Sequence, residues 1–225
     1  MARRWMAGKL TSARNPGALK GARHQPAFRR RDGRVNQVIY LRALADPSVT
    51  PCLVLIDMQQ EYVTGARLMV VPDARSALAN CRAALDHARS MRFPVAFLRQ
   101  VSRSAFFNPA TVFSGWIEGF EPTGSDMIFE RERPSCYSSK LFEQLMAGCG
   151  GHFVLAGFAG ETACLSTAIE AYHRKHCFSY LADASASHAL GELSASDVQN
   201  AVTKIIGVYG EILDTRSWKI GRAHV

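Results

Sequence analysis

Two short runs of apolar residues place the strongest constraint on the fold of this 225-residue chain. The runs Leu53–Ile56 and Phe153–Ala156 do not alternate apolar with polar residues, and each ends at residues that favour a turn. Uninterrupted apolar runs of roughly four to eight residues are typical of parallel strands buried on both faces. We therefore predict two central strands of a parallel sheet.

Apolar strand-like segments and periodic helix-like segments alternate along most of the chain. Asp73 is the predicted N-cap of the first helix, and Ser194 or Ser196 that of the last. The pattern predicts a single doubly wound (Rossmann-like) α/β domain, with a parallel six-stranded sheet and helices on both faces. The predicted strands are Leu53–Ile56, Val95–Arg99, Met127–Phe129, Phe153–Ala156, Phe178–Ala182 and Glu211–Thr215, and the predicted helices are Ala74–Ser90, Ser138–Ala147, Thr162–Lys175 and Ser196–Tyr209.

Cys164 is the first candidate for a functional residue. It lies in the first turn of a predicted helix, directly after the strand Phe153–Ala156 and a glycine-containing turn. Unpaired N–H groups and the positive end of the helix dipole favour a thiolate at such a position, which makes a cysteine nucleophilic. The alternative is a small buried cysteine of the core.

Charged residues follow two other predicted strands. Asp57 ends the first strand and reaches the same edge of the sheet as Cys164, where a carboxylate can take the proton of a thiol. A turn or N-cap aspartate is the alternative. Residues 130–133 follow the third strand and carry four alternating charges. Such a cluster either forms a solvated loop or places a cation beside the thiolate, which lowers the thiol pKa.

Four motifs in a fixed order connect these observations. They are Ile56-Asp57-Met58-Gln59, Arg131-Glu132-Arg133-Pro134-Ser135-Cys136-Tyr137, Cys164-Leu165-Ser166-Thr167-Ala168 and Tyr180-Leu181-Ala182-Asp183-Ala184. In these motifs the chain resembles the isochorismatase-like family of cysteine hydrolases, over roughly Thr50 to Trp218. Two differences stand out, because Arg131 takes the place of the usual lysine and the turn before Cys164 is one residue longer.

The resemblance implies a strand order of 3-2-1-4-5-6 and a catalytic triad. Asp57 is then the base, Arg131 the cation and Cys164 the nucleophile, with Arg133 as the alternative cation. Arginine keeps its charge but cannot donate a proton usefully near neutral pH. Arg131 is therefore expected to stabilise negative charge rather than to act as an acid.

The resemblance also implies a non-proline cis peptide shortly before the cysteine, which by counting falls near Ala159–Gly160. A glycine at that point lowers the steric cost. The backbone N–H groups around Ala159, Gly160 and Ala163 are then expected to form an oxyanion hole.

The predicted reaction is hydrolysis of an amide-type C–N bond of a small molecule through a thioester on Cys164. We expect the substrate to contact Gln59, Tyr62, Trp116 and Tyr137. A vinyl-ether hydrolase of the isochorismatase type is one alternative, and a catalytically silent binding or assembly protein is another. No cofactor is expected, and no Asp-x-His or paired-histidine spacing follows Asp57 to indicate a metal site.

Charge separates the chain into segments. Residues 1–44 contain eleven lysines and arginines and a single acid, Asp32, so this segment accounts for the net charge of +8 of the whole chain. We expect a basic, disordered extension over residues 1–44, a hydrolase domain over 45–218 and a non-native tail over 219–225. A transit peptide, a nucleic-acid arm or a mis-assigned start are alternatives for the extension.

The remaining composition bears on location and partners. The six cysteines lack CxxC spacing and no secretory signal precedes them, which favours a reducing, cytoplasmic setting. No stretch is long enough to span a membrane, and the domain itself gives no indication of nucleic-acid binding. We expect a small-molecule substrate and a homo-oligomer.

Overall fold

The computed structural model of the protein describes residues 50–72 and 74–221. The expected extension 1–44, the N-cap Asp73 and the last four residues of the expected tail lie outside the described residues. The strands are β1 (Cys52–Ile56), β2 (Val95–Gln100), β3 (Met127–Arg131), β4 (His152–Gly157), β5 (Cys177–Ser185) and β6 (Glu211–Leu213), and the helices are α1 (Ala74–Ser90), α2 (Lys140–Gly148), α3 (Leu165–His173), α4 (Ala195–Tyr209) and α5 (Thr215–Ile220).

The strands form one parallel six-stranded sheet in the order β3-β2-β1-β4-β5-β6. This arrangement confirms the predicted fold class and strand order. The two strands with the longest apolar runs, β1 and β4, are neighbours at the centre, with Ile56 paired to Gly157 at their carboxyl ends. The order of the strands reverses between β1 and β4, and ligands of doubly wound sheets bind at such a point.

The core consists of two clusters, one on each face of the sheet. Leu53 and Leu55 of β1 face a cluster that includes Leu85 of α1. Val54 of β1 faces the opposite cluster, which includes Phe142 of α2. Successive strand residues point to opposite faces, so a central strand needs apolar residues at every position. This requirement explains why β1 reads as an uninterrupted apolar run.

The last strand and the helix after it have other bounds than predicted, because a capping side chain starts the helix. The predicted strand Glu211–Thr215 ends at Leu213, because the Asp214 side chain accepts a 2.6 Å hydrogen bond from the Ser217 N–H and caps α5. Lys219 and Ile220 of the expected non-native tail belong to that helix. Among the described residues, no helix is long and apolar enough to cross a membrane.

Gly157 ends β4 in a conformation that only glycine adopts easily. Its φ angle is +119°, and a Cβ atom there would lie 2.1 Å from the Ile56 carbonyl oxygen. We expect Gly157→Ala to lower the free energy of unfolding by about 3 kcal/mol or more, because backbone must move to admit the methyl group. Urea titration of the variant measures the loss.

Gly124→Ala is the matched control, since a Cβ atom at Gly124 meets nothing within 4 Å. We expect this variant to change the free energy of unfolding by less than about 0.5 kcal/mol. An equal effect of the two substitutions would show that the close approach of Gly157 to β1 is not the cause.

Candidate active site

A buried ion pair joins the ends of two strands that are not neighbours. The Arg131 guanidinium at the end of β3 donates a short hydrogen bond to Asp57 Oδ2, directly after β1, and both side chains are fully buried. Arg131 Nη1 also donates to the Arg133 carbonyl at 2.6 Å and to Gln100 Oε1, at the end of β2, at 3.4 Å. The pair therefore spans the carboxyl edge of β1, β2 and β3.

Arg131, and not Arg133, is the cation that meets Asp57. The Arg133 side chain is exposed, and this residue contributes only its backbone carbonyl to the site. The motif spacing had left either Arg131 or Arg133 as the cation beside Asp57. Arg131 occupies the position beside the carboxylate.

The two oxygens of Asp57 have different surroundings. Oδ2 accepts hydrogen bonds from Arg131 and from the Tyr62 hydroxyl, the latter at 3.3 Å, whereas Oδ1 is buried without a partner among the described residues. Burial raises the pKa of Asp57 to about 6, although Arg131 and Tyr62 both act to lower it. A carboxylate with that pKa and a free oxygen is suited to accept a proton near neutral pH.

Asp57 also has a rare backbone conformation. Its φ angle is +52°, and its N–H donates to the Leu98 carbonyl at 2.7 Å. Aspartate tolerates the left-handed region better than most residues, and such conformations cluster at functional sites. The bend turns the chain out of β1 directly at the residue whose carboxylate meets Arg131.

Cys164 lies at the same edge of the sheet, after β4. Its thiol is fully buried, with the Gly157 carbonyl 3.6 Å and the Ser185 hydroxyl 3.7 Å from the sulfur. Ser185 Oγ also donates a shorter, 2.7 Å hydrogen bond to the same carbonyl. The sheet thus brings Asp57, Arg131 and Cys164 to one edge, as their positions after three parallel strands predicted.

The expected lowering of the thiol pKa is not found in this conformation. Burial raises the pKa of Cys164 well above its ordinary value, and the contact with Ser185 opposes this shift. Nearby Cys136 and Asp57 raise the pKa further. Desolvation outweighs the helix-terminus effect here, so the resting site contains a neutral thiol.

The turn that carries Cys164 is a π-helical turn over Gly160–Cys164, preceded by a cis peptide bond between Phe158 and Ala159. The cis bond is thus one residue earlier than the predicted Ala159–Gly160. Within the turn, the N–H groups of Thr162, Ala163 and Cys164 all approach the Ala159 carbonyl, at 3.3, 3.0 and 3.2 Å.

This crowding modifies the expected oxyanion hole. A carbonyl oxygen has two lone pairs, so three converging N–H groups cannot all be well satisfied by Ala159. The N–H of Gly160, another expected contributor, donates to the Ala186 carbonyl at 2.9 Å. The N–H groups of Thr162, Ala163 and Cys164 therefore share one acceptor, and the expected oxyanion hole stays a prediction.

Gln59 has an internal role instead of the expected substrate contact. Its side-chain amide donates to the carbonyls of Gln100 and Ser114, both at 3.0 Å, and its Oε1 accepts from the Gln100 N–H at 2.9 Å. The residue is fully buried. Gln59 therefore fastens the loop after β1 to the end of β2.

Tyr137 also departs from the expectation of a substrate contact. Its hydroxyl is 2.8 Å from His176 Nδ1, and the Arg174 guanidinium lies over its ring, so its polar atom is engaged away from Asp57. Trp116 is half-buried, with its ring 5.6 Å from that of Phe97. Trp116 is more exposed to solvent than Tyr137, which is buried.

The sequence reasoning missed a second, half-buried ion pair, between Glu161 in the π-helical turn and His188 after β5. His188 Nδ1 lies 2.7 Å from Glu161 Oε1, and Nε2 lies 3.0 Å from the Met69 carbonyl. The carbonyl can only accept, and the pKa of Glu161 is lowered by its hydrogen bond from His188 despite burial. Both ring nitrogens therefore carry protons, and the imidazolium connects three loops above the site.

A cavity of about 170 Å³ with a mixed polar and apolar lining lies beside Ser185. Its lining includes Pro72, Ser76, Asp183, Ser187 and Gln199. Ser185 contacts both this cavity and the Cys164 thiol. Residues 106–122, which include several aromatic side chains, contribute no residue to this cavity.

Within residues 50–72 and 74–221, no group of three His, Cys, Asp or Glu side chains is placed to hold a metal ion.

We expect the His188 pair to stabilise the protein in a pH-dependent way. The Glu161 hydrogen bond, helped by the Met69 carbonyl, raises the pKa of His188 above its unfolded value of about 6.5. The stabilisation is therefore complete below pH 6.5 and is lost as the pH rises through the folded pKa. Urea titrations of the wild type and His188→Gln between pH 5.5 and 9 should show a difference that shrinks with pH.

His173→Gln is the control, because His173 is exposed at the end of α3. Its difference from the wild type should stay small and constant over the same range. A difference at His188 that does not depend on pH would mean that the ring is neutral in the folded protein.

The comparisons with known proteins point in one direction. The model of the isochorismatase domain matches residues 51–217. None of the curated proteins compared with the chain matches it.

Solved structures similar to this one include an isochorismatase from Pseudomonas putida KT2440, with 24% identity, a TM-score of 0.69 and coverage of 75% of this chain and 89% of that one. A cysteine hydrolase from Pseudomonas syringae pv. phaseolicola 1448A has 20% identity, a TM-score of 0.69 and coverage of 79% and 97%. An N-carbamoylsarcosine amidase from Thermoplasma acidophilum has 18% identity, a TM-score of 0.61 and coverage of 74% and 96%. At these identities the likeness establishes the fold.

Proposed function

Because the chain belongs to the isochorismatase family, we propose that it is a cysteine-dependent hydrolase that cleaves an amide-type C–N bond of a small molecule through a thioester. One observation carries the proposal. The buried Asp57–Arg131 pair lies at the sheet edge that also holds Cys164, and it leaves Asp57 Oδ1 without a partner among the described residues. A buried acceptor without a donor is costly, and active sites are where such groups occur.

Asp57 is the proposed base. Oδ1 takes the proton of the Cys164 thiol while the sulfur attacks the carbonyl carbon of the substrate. Because the resting thiol is neutral, proton transfer accompanies the attack and does not precede it. The pKa of Asp57, about 6, is high enough for the carboxyl group to return this proton later.

The backbone stabilises the charge that develops on the substrate oxygen. The Ala163 and Cys164 N–H groups turn from the crowded Ala159 carbonyl to this oxyanion. The tetrahedral intermediate then breaks its C–N bond, and the amine or ammonia leaves with the proton from Asp57. A water molecule, deprotonated by Asp57, attacks the thioester and releases the carboxylic acid and the Cys164 thiol.

Arg131 supplies fixed positive charge. It compensates the negative charge that moves between Asp57 and the reacting sulfur, and it donates no proton because its pKa is raised further by the Asp57 carboxylate against the effect of burial. The amidase and cysteine hydrolase among the similar structures support this chemistry at the level of the fold. The expected substrate class, homo-oligomer and cytoplasmic location stay predictions.

We expect ammonia release from at least one member of a panel of small primary amides and N-carbamoyl amino acids. Cys164→Ala should lower this rate by at least about 10³-fold, because the variant cannot form the thioester. A coupled ammonia assay measures both. Cys149→Ala, which removes a half-buried thiol at the end of α2, is the matched control and should keep the wild-type rate.

Release that continues in Cys164→Ala would exclude Cys164 as the nucleophile. A wild-type protein that releases no ammonia from the panel, and whose Cys164 forms no adduct with these compounds in intact-protein mass spectrometry, would favour the silent binding protein.

The cation can be tested separately. We expect Arg131→Met to lower the turnover number by about 10²-fold or more, since Asp57 then loses the charge that keeps it ionised. Arg131→Lys should preserve most of the activity because it keeps the positive charge. Steady-state rates on the best substrate of the panel measure both effects.

Arg133→Met is the comparison, and it should have little effect because the Arg133 side chain is exposed. If Arg133→Met loses activity while Arg131→Met retains it, the assignment of the cation is wrong by two residues.

A further inference from the structure

The hydroxyl of Tyr62 contacts Asp57, the proposed base. Tyr62 lies in the turn Gln60–Tyr62, five residues after Asp57, and is only 2% exposed. Its hydroxyl donates to Asp57 Oδ2 at 3.3 Å. The substrate contact expected of Tyr62 from the sequence stays a prediction.

The ring of Tyr62 is held on several sides. The ring centroids of Phe107, Phe158 and His188 lie 5.2, 5.9 and 6.2 Å away. The Tyr62 carbonyl accepts a 2.9 Å hydrogen bond from the Val71 N–H, which fixes the backbone as well. The hydroxyl is therefore delivered to Asp57 by a rigid support.

We infer that Tyr62 is a positioning residue that, together with Arg131, holds one oxygen of the Asp57 carboxylate so that the other oxygen, Oδ1, stays free for the Cys164 proton. The inference rests on the proposed function for the identity of the base. Two donors on Oδ2 prevent the carboxylate from rotating and exchanging its oxygens. Without the hydroxyl, Arg131 is the one side-chain donor that the described residues place on Oδ2.

The hydroxyl also favours the charged form of Asp57. A donor to a carboxylate lowers its pKa, and the loss of that donor raises the pKa. The pKa of Tyr62 itself is raised well above its ordinary value, first by burial and then by Asp57, so the hydroxyl keeps its proton at any pH at which the enzyme would work.

Several other ionisable groups lie near the hydrogen bond between Tyr62 and Asp57. Arg131 and Cys136 approach Asp57 from β3 and the turn after it, and Cys164 from the turn before α3. Glu161 and His188 face Tyr62 from the loops above. Among these, His188 is the group whose ordinary pKa lies nearest to neutral pH, and that pKa is raised by Glu161, so its contribution has to be measured by a variant of its own.

The inference is tested by measuring the titration midpoint of the Asp57 carboxyl group. Protein labelled with ¹³C at the aspartate carboxyl carbons is titrated by NMR, with Asp57→Asn to assign the signal. In Tyr62→Phe we expect the midpoint of Asp57 to rise from about 6 by about one pH unit, the equivalent of one hydrogen bond to a charged group. Incorporation of 3-fluorotyrosine at position 62, whose hydroxyl is a stronger donor, should lower the midpoint.

Thr215→Val is the matched control, since it removes a hydroxyl that donates to another carboxylate, Asp183, at 2.8 Å. It should leave the Asp57 midpoint in place, and so should His188→Gln. An Asp57 midpoint that moves in neither Tyr62 variant would overturn the inference, whatever the activity of the protein.

A second readout separates this inference from the proposed function. The rate of Cys164 alkylation by iodoacetamide in Tyr62→Phe should be about fivefold lower than in the wild type at pH 6 and nearly equal at pH 8, because at pH 8 Asp57 is ionised in both. A loss that is equal at every pH would contradict the positioning role. If Asp57→Asn leaves the alkylation rate unchanged while the NMR midpoint still moves, Asp57 is not the base and only the proposed function fails.

Discussion

The buried ion pair between Asp57 and Arg131 is the interaction on which the rest of the site depends. Removing two charges from water costs several kcal/mol per ion, and the pair regains this cost only with good geometry and further hydrogen bonds. Those bonds come from Tyr62, from Gln100 and from the Arg133 carbonyl. The pair can form only if β3, β2 and β1 end at the same level, which the register of the sheet provides. The strand order is thus a condition for burying the charges.

In the proposed reaction, arginine in this pair leaves all proton transfers to Asp57. A lysine can exchange a proton, whereas Arg131 stays charged throughout. Burial then raises the pKa of Asp57 to about 6, which suits a carboxyl group that both accepts and donates a proton near neutral pH. One carboxyl group with that pKa can take the thiol proton in one step and give it to the leaving amine in the next. The cation therefore does not have to be an acid for the reaction to proceed.

Much of the fold could be predicted from the sequence, because a strand buried on both faces must be apolar at every position, as β1 and β4 are. Asp57, Arg131 and Cys164 could be assigned to one edge because parallel strands end together. The internal hydrogen bonds of Gln59 and Tyr137 could not be predicted, since their partners Gln100, Ser114 and His176 are distant in the sequence. The Glu161–His188 pair joins residues 27 positions apart, and no local pattern indicates such a contact.

In the resting site the thiol is neutral because burial raises its pKa. The Ala159 carbonyl accepts from the N–H groups of the turn, the Gly157 carbonyl and Ser185 lie beside the sulfur, and Asp57 Oδ1 and Arg131 Nε are buried without a partner among the described residues. In the proposed reaction, the substrate carbonyl accepts hydrogen bonds from N–H groups that share the Ala159 carbonyl in the resting site. Few well-formed hydrogen bonds are therefore lost when the substrate binds. The same event brings an electrophilic carbon to the sulfur. The thiol then needs a proton acceptor only when its target is present, and the free oxygen of Asp57 supplies it.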